Sequence, residues 1–212
     1  ACVGLVGGVP ALHAQTAQDG VQAHRITSAE AAGIVVDGAL SEDMWRTALP
    51  ASGFRQREPL EGEPASERTE VRIVYDDETL YIGVMAYDNE PDQVVARILQ
   101  RDKILEPEFF GGGLTFAGDD AVAILLDPFH DHRSGIVFAT NPNGAEFEAL
   151  LSDEGSDINI DWRGVWEVAG ARTPDGWSAE FAIPWRTLRY PTAATHEWGL
   201  NVFRIIRRKN EE

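Results

Sequence analysis

Carboxylates dominate the groups in this chain that could do chemistry, and they come in pairs, Asp119-Asp120 and Asp153-Glu154. Two carboxyls facing one cleft would supply acid and base for glycoside cleavage. Adjacent strand residues point to opposite faces, so neither pair meets that need, and an acid-rich surface produces such pairs freely. His130 and His132 form an H-x-H at an expected turn, enough for two imidazole ligands but without an evident third. Met44 and Met85 could offer a haem their thioethers, yet one adjoins Trp45 and the other sits in an apolar run, where packing accounts for both. Trp162 and Trp166 carry a more specific signal, because they stand among Asp161, Arg163 and Glu167. Aromatic faces with hydrogen-bonding neighbours suit a sugar ring, and the same two rings would serve equally well as a cap on the end of a β-sandwich. Arg204, Arg207, Arg208 and Lys209 make the basic cluster and read as a strand end rather than an anion site.

The elements that position these groups are strands. From Asp119 to Leu151 the chain predicts three antiparallel strands: Ala121 to Leu126, Ile136 to Thr140 and Ala145 to Leu151. They are separated by turns at Asp127-Pro128 and Asn141-Pro142-Asn143-Gly144. The first is apolar throughout and should be buried on both faces. Further strands are expected at Ile34 to Val36, Phe54 to Glu58 as an edge, Val71 to Tyr75, Leu80 to Tyr87, Trp166 to Ala169, Trp177 to Ile183 and Trp198 to Ile206. The last is apolar on both faces, which predicts a central place in its sheet. Ser41 should cap a helical turn that sends Trp45 inward, and a short amphipathic piece runs over Val94 to Leu99. Pro91 to Gly118 otherwise reads as a long loop, with Gly111-Gly112-Gly113 inside it. About nine or ten strands at this spacing make an all-β, antiparallel β-sandwich of jelly-roll or immunoglobulin-like type, with one or two short helices. Trp45, Trp177 and Trp198 are expected in its core, and Trp185 is ambiguous.

Composition narrows the partners. A formal net charge of −17 over 212 residues argues against nucleic acid, whose phosphates need clustered Lys and Arg. The first fourteen residues carry no charge and end Ala-Leu-His-Ala, which reads as the remnant of a signal peptide and hence export. Residues 15–32 read as a polar linker and 33–212 as one domain. Cys2 is the single cysteine and falls in that remnant, so disulfides and cysteine metal sites are not expected in the domain. No cofactor is implied; the acids could also take calcium, for which no residue set stands out.

Six segments, VDGALSEDMW, DDAVAILLD, FATNPNG, WRGVWEV, DGWSAEFAIPWRTLRY and WGLNVFRIIRRKNEE, agree in order with a known pattern. Over about Ile34 to Glu212 the chain resembles the family 9 carbohydrate-binding module-like domain found at the N-terminus of exported bacterial outer-membrane β-barrel proteins. The resemblance implies a non-catalytic sandwich on the periplasmic or cell-surface side of the outer membrane. It would bind a glycan or related ligand and be joined to a barrel beyond residue 212. A structural module docking on that barrel without a small-molecule ligand is the alternative, and a part of a carbohydrate-active hydrolase a more remote one. Sugar-binding members clamp a terminal sugar between two aromatics, of which Phe116 would be one, the other lying past Glu212. Two charged contacts of that pattern fall on Ala123 and Ala139 here. Loss of two such hydrogen bonds, at roughly 1.5 to 3 kcal/mol each, would turn a micromolar site into a millimolar one. Phe116, Trp162 and Trp166 are the stacking candidates, with Asp119, Asp120, Asp161 and Arg163 as polar partners.

Overall fold

The computed structural model of the chain describes residues 15–16, 20–107 and 114–212. The presumed signal remnant with Cys2, and the Gly111-Gly112-Gly113 run, lie outside the described residues.

Two sheets face each other. One has seven strands: β1 (Gln15–Thr16), β2 (His24–Arg25), β3 (Ala51–Ser52), β4 (Thr69–Tyr75), β5 (Thr79–Tyr87), β12 (Glu167–Thr173) and β13 (Gly176–Pro184), in the order β1-β3-β4-β5-β13-β12, with β2 also on β4. The other has five, β8 (Ala121–Asp127), β9 (Gly135–Thr140), β10 (Phe147–Ser152), β11 (Asp157–Asn159) and β14 (Gly199–Ile205), in the order β11-β10-β9-β8-β14. A two-stranded ribbon of β6 (Leu105–Pro107) and β7 (Leu114–Phe116) forms a separate small sheet. The long pairings are antiparallel, as the turn dipeptides require.

Alternation along the strands builds the core between the sheets. Trp177, Ala179, Phe181 and Ile183 of β13 meet Leu80, Ile82, Val84 and Ala86 of β5, and both rows pack against Ile124, Leu126, Ile136 and Phe138 of the facing sheet. The outer faces are covered as well. Helices α1 (Ser28–Ala31) and α2 (Asp43–Thr47) place Ile26, Met44 and Trp45 on Val74, behind the seven-stranded sheet. Ile104, Leu105 and Phe116 cover Ala121, Ala123, Ala139, Phe147 and Ala149 behind the five-stranded one. That double cover is why several strands are apolar on both faces.

Some expectations are corrected. β14 is at the edge of its sheet, paired with β8 alone; its two apolar faces serve the inter-sheet core (Leu200, Val202) and the outer cluster (Phe203, Ile205), not a second neighbour. Residues 34–36 form no strand, and the strand near Phe54 is Ala51–Ser52. Part of the presumed linker is folded: Thr27 and Glu30 close a capping box on α1, and Ile26 and Ala31 are buried. Helix α2 starts after Glu42 rather than Ser41, with Trp45 inside as expected.

The turn at Gly144 (φ +74°) presses on the middle of β12 at Gly170: a Cβ on Gly170 would stand 2.6 Å from the Asn141 carbonyl oxygen. Asn141 holds the turn by accepting the Asn143 and Ala145 N–H groups at 3.1 and 3.0 Å, an Asx turn that fixes β9 against β10.

Candidate functional site

The predicted site residues are not brought together. Phe116 is 9% exposed and packs on the outer cover, beside Ala123 and Ala139. Trp166 is 7% exposed and belongs to the core on the opposite side of that sheet, stacked on Phe181 at 6.0 Å and edge-on to Phe138 at 5.0 Å. Trp162, half-buried, meets the same Phe138 edge-on at 6.2 Å. The charges flanking these rings mark the sandwich end, and the rings turn inward because Phe138 and Phe181 offer more apolar area than solvent does.

The paired carboxylates are internal fasteners. Asp119 Oδ2 accepts the N–H groups of Arg97 and Ile98 at 2.8 and 2.7 Å and the Asn141 amide at 2.9 Å. Asp120 accepts from Val95 N at 2.6 Å and Arg207 N at 3.3 Å. Burial raises the Asp120 carboxyl above its ordinary value, against those two donors. Both aspartates are about as buried as core leucines, at 2% and 1% exposure, so neither faces a ligand. Asp161 is exposed on a turn, and Arg163 binds the carbonyls of Ile160 and Trp162 and, at 2.8 Å, Asp102. Ala123 and Ala139, directly opposite each other in register, are sealed under the cover.

Other candidates are likewise absorbed. Arg208 reaches Asp88 at 2.5 Å and Glu67 at 3.1 Å, and Lys209 reaches Glu67 at 2.6 Å, so much of the basic cluster neutralises buried acids. His130 and His132 face each other at 5.2 Å, and among the described residues no group of three or more His, Cys, Asp or Glu is arranged to hold a metal. Met44 lies in the cluster under α2. Trp185, Tyr190, His196 and Trp198 gather at one end, but at interplanar angles from 48° to 85° they present edges to one another rather than a shared flat face.

Among the described residues, a concave feature runs along the free side of β14. A cavity of about 290 Å³ is walled by Phe54 to Arg57 on one side and Asn201 to Arg204 on the other, with Glu61, Glu67, Thr69, Glu211 and Glu212 completing its lining, and an adjoining one of about 200 Å³ shares Phe54, Arg55, Asn201 and Val202 with it. Its polar groups are mixed in kind. Arg55 gives one guanidinium nitrogen to Gly62 O at 2.7 Å and makes no ion pair among the described residues. Asn201 uses its Oδ1 to accept the Val202 N–H at 3.0 Å, leaving its –NH₂ as a donor. Gln56 donates to Pro64 O at 2.9 Å while its Oε1, a buried acceptor, has no partner among the described residues. Phe54 and Phe203 add rings. Arg204 forms part of the wall and is structural: it crosses from β14 to the other sheet, donating to Arg68 O and Thr69 Oγ1, both at 3.0 Å, and to Tyr87 O at 2.7 Å. Burial lowers its pKa, against the attraction of Asp88, Asp120, Glu67 and Glu211. Donors, acceptors and rings in one trough are what a polyol with apolar ring faces needs. Sequence alone could not find it, because its walls lie about 150 residues apart and neither carries a motif.

No protein-family model and no curated protein sequence matches the chain. Among solved structures it is similar to a "putative carbohydrate-binding protein" from Bacteroides uniformis ATCC 8492. The TM-score is 0.62 over 94% of this chain and 88% of that one, at 8% identity. Weaker similarity is found to a carbohydrate binding module family 9 from Caldicellulosiruptor kristjanssonii. In complex with cellotriose it gives a TM-score of 0.46 at 15% identity, covering 85% of this chain and 75% of that one. In complex with glucose the values are 0.44, 16%, 84% and 76%. The β-sandwich fold is shared with the first of these.

Proposed function

We propose that this domain is a non-catalytic glycan-binding module that takes its ligand in the groove beside β14. The groove carries the reading: the Arg55 and Asn201 donors, the Glu61 carboxylate and the Phe54 and Phe203 rings line one trough on a fold shared with a protein named for carbohydrate binding. Asp161, Trp162 and Arg163, the remaining accessible candidates from the sequence, would be a lesser contact at the sandwich end. Export and attachment to an outer-membrane barrel form part of the proposal, supported by the uncharged first fourteen residues and by the six-segment resemblance.

Calorimetric titration with soluble polysaccharides, on the native chain and on an Arg55→Ala, Asn201→Ala double variant, tests it. Heat with the native chain and at least about tenfold weaker binding in the variant is expected. Equal binding by both would move the site away from β14. Absence of binding across cellulose-, xylan-, mannan- and glucan-derived polymers would remove the glycan reading in favour of a docking module.

A further inference from the structure

The groove has a direction. Along its first stretch Ala51, Gly53, Phe54 and Arg55 face Leu200 to Val202; along its second, Phe54 to Arg57 face Asn201 to Arg204 and Ile206. Both walls therefore advance together, and the cavities border Leu200 to Arg204 of β14, roughly 13 Å at about 3.3 Å per residue. That is longer than one sugar ring is wide. The donors and rings are also distributed along it: Phe54, Arg55 and Asn201 belong to both stretches, Gln56 and Phe203 to the second. A site for a chain end would instead be a closed pocket with its polar groups converging on one ring.

The edge of β14 could in principle take a strand of peptide, since edge strands present unpaired N–H and C=O groups. Here the edge is blunted by its own side chains. Asn201 Oδ1 already holds the Val202 N–H, and Arg204 turns across to the facing sheet. A peptide would lose a rung there, whereas a glycan needs side-chain donors and acceptors rather than an intact backbone ladder.

We propose that the groove binds an internal stretch of an extended glycan chain, several sugar units at once, and not a chain terminus. This rests on the glycan-binding reading above. The test is a ladder of cello-, xylo- and manno-oligosaccharides from one to six units, titrated before and after both chain ends are blocked by reduction and O-methylation. The expected result is affinity that climbs stepwise with length, by about tenfold or more from one unit to six, and that changes by less than about twofold when the ends are blocked. The Arg55→Ala, Asn201→Ala variant should flatten the climb. Affinity that is the same for one unit as for six, and is abolished by end-blocking, would overturn the inference while leaving glycan binding in place. No binding at any length would sink both. Competition for the same groove by an extended Thr-Val repeat peptide would assign the edge to strand addition and overturn it too.

Discussion

Glu180 offers the sharpest test of how this sandwich is held together. It lies in β13 on the face away from the main core, 1% exposed. One oxygen accepts the N–H groups of Asp37 and Gly38 at 3.1 and 2.9 Å, and the other accepts Trp45 Nε1 at 2.9 Å. It thus pins both the turn before α2 and the helix itself to the sheet. Three donors favour the carboxylate and burial opposes it, with Glu42 adding repulsion; burial wins, and the carboxyl is pushed up from 4.5 to about 7. Because the folded value is the higher one, the protonated folded state is favoured. The contribution to stability is complete below 4.5 and is lost as pH rises through about 7. The whole span corresponds to roughly 3 kcal/mol, most of which should disappear between pH 5 and pH 8. Glu180→Gln removes the titration. It also sets an amide –NH₂ against one group of N–H donors, a fixed cost of about 1 to 3 kcal/mol. The informative quantity is therefore the slope, not the level. Urea unfolding followed by tryptophan fluorescence at several pH values, for both proteins, cancels the titration of every other group. Native stability falling more steeply by roughly 2 to 3 kcal/mol over that range is expected. Parallel curves, or a native curve rising relative to the variant between pH 3 and 5, would show that the three hydrogen bonds outweigh burial and refute the reasoning.

Other perturbations probe the corrected site residues. Trp166→Ala should lower stability by about 3 to 5 kcal/mol in urea, the cost of a cavity between Phe138 and Phe181, and leave polysaccharide affinity unchanged. Asp119→Ala strands the Arg97, Ile98 and Asn141 donors; a loss of about 3 kcal/mol is expected, with faster hydrogen exchange at the Arg97 and Ile98 amides as the local readout. Gly176→Ala would place a Cβ 2.2 Å from the Ala86 carbonyl oxygen at φ +140°, so thermal unfolding should show a loss above about 2 kcal/mol.

The strands were legible in the sequence because their signals are local. Trp177, Ala179, Phe181 and Ile183 alternate behind Pro174-Asp175-Gly176, and the structure puts all four in the core. The place of a strand within its sheet was not legible. Leu200 and Val202 on one face of β14, with Phe203 and Ile205 on the other, look like a central strand whether the second face meets a strand or a cover. Buried acids were illegible for a related reason: Asp119, Asp120, Glu148 and Glu180 carry no mark of the distant N–H groups and guanidinium that accept them into the interior. Glu148 is bound by Arg101, from a segment read as loop. The capping box at Thr27 and Glu30 is a local signal, obscured by the polar run around it. The groove depends on two remote segments at once, and such a surface exists only after folding.

The pairing of the long strands also sets the order in which the chain can become a domain. Tyr87 of β5 finds its neighbour at Gly176, and Ala121 of β8 finds one at Ile205. Neither sheet can close until the last third of the chain is available, and during synthesis β5 and β8 must wait with open apolar edges. Contacts of that range make folding slow, on the millisecond-to-second scale typical of all-β sandwiches. They also leave a partly made chain exposed to aggregation.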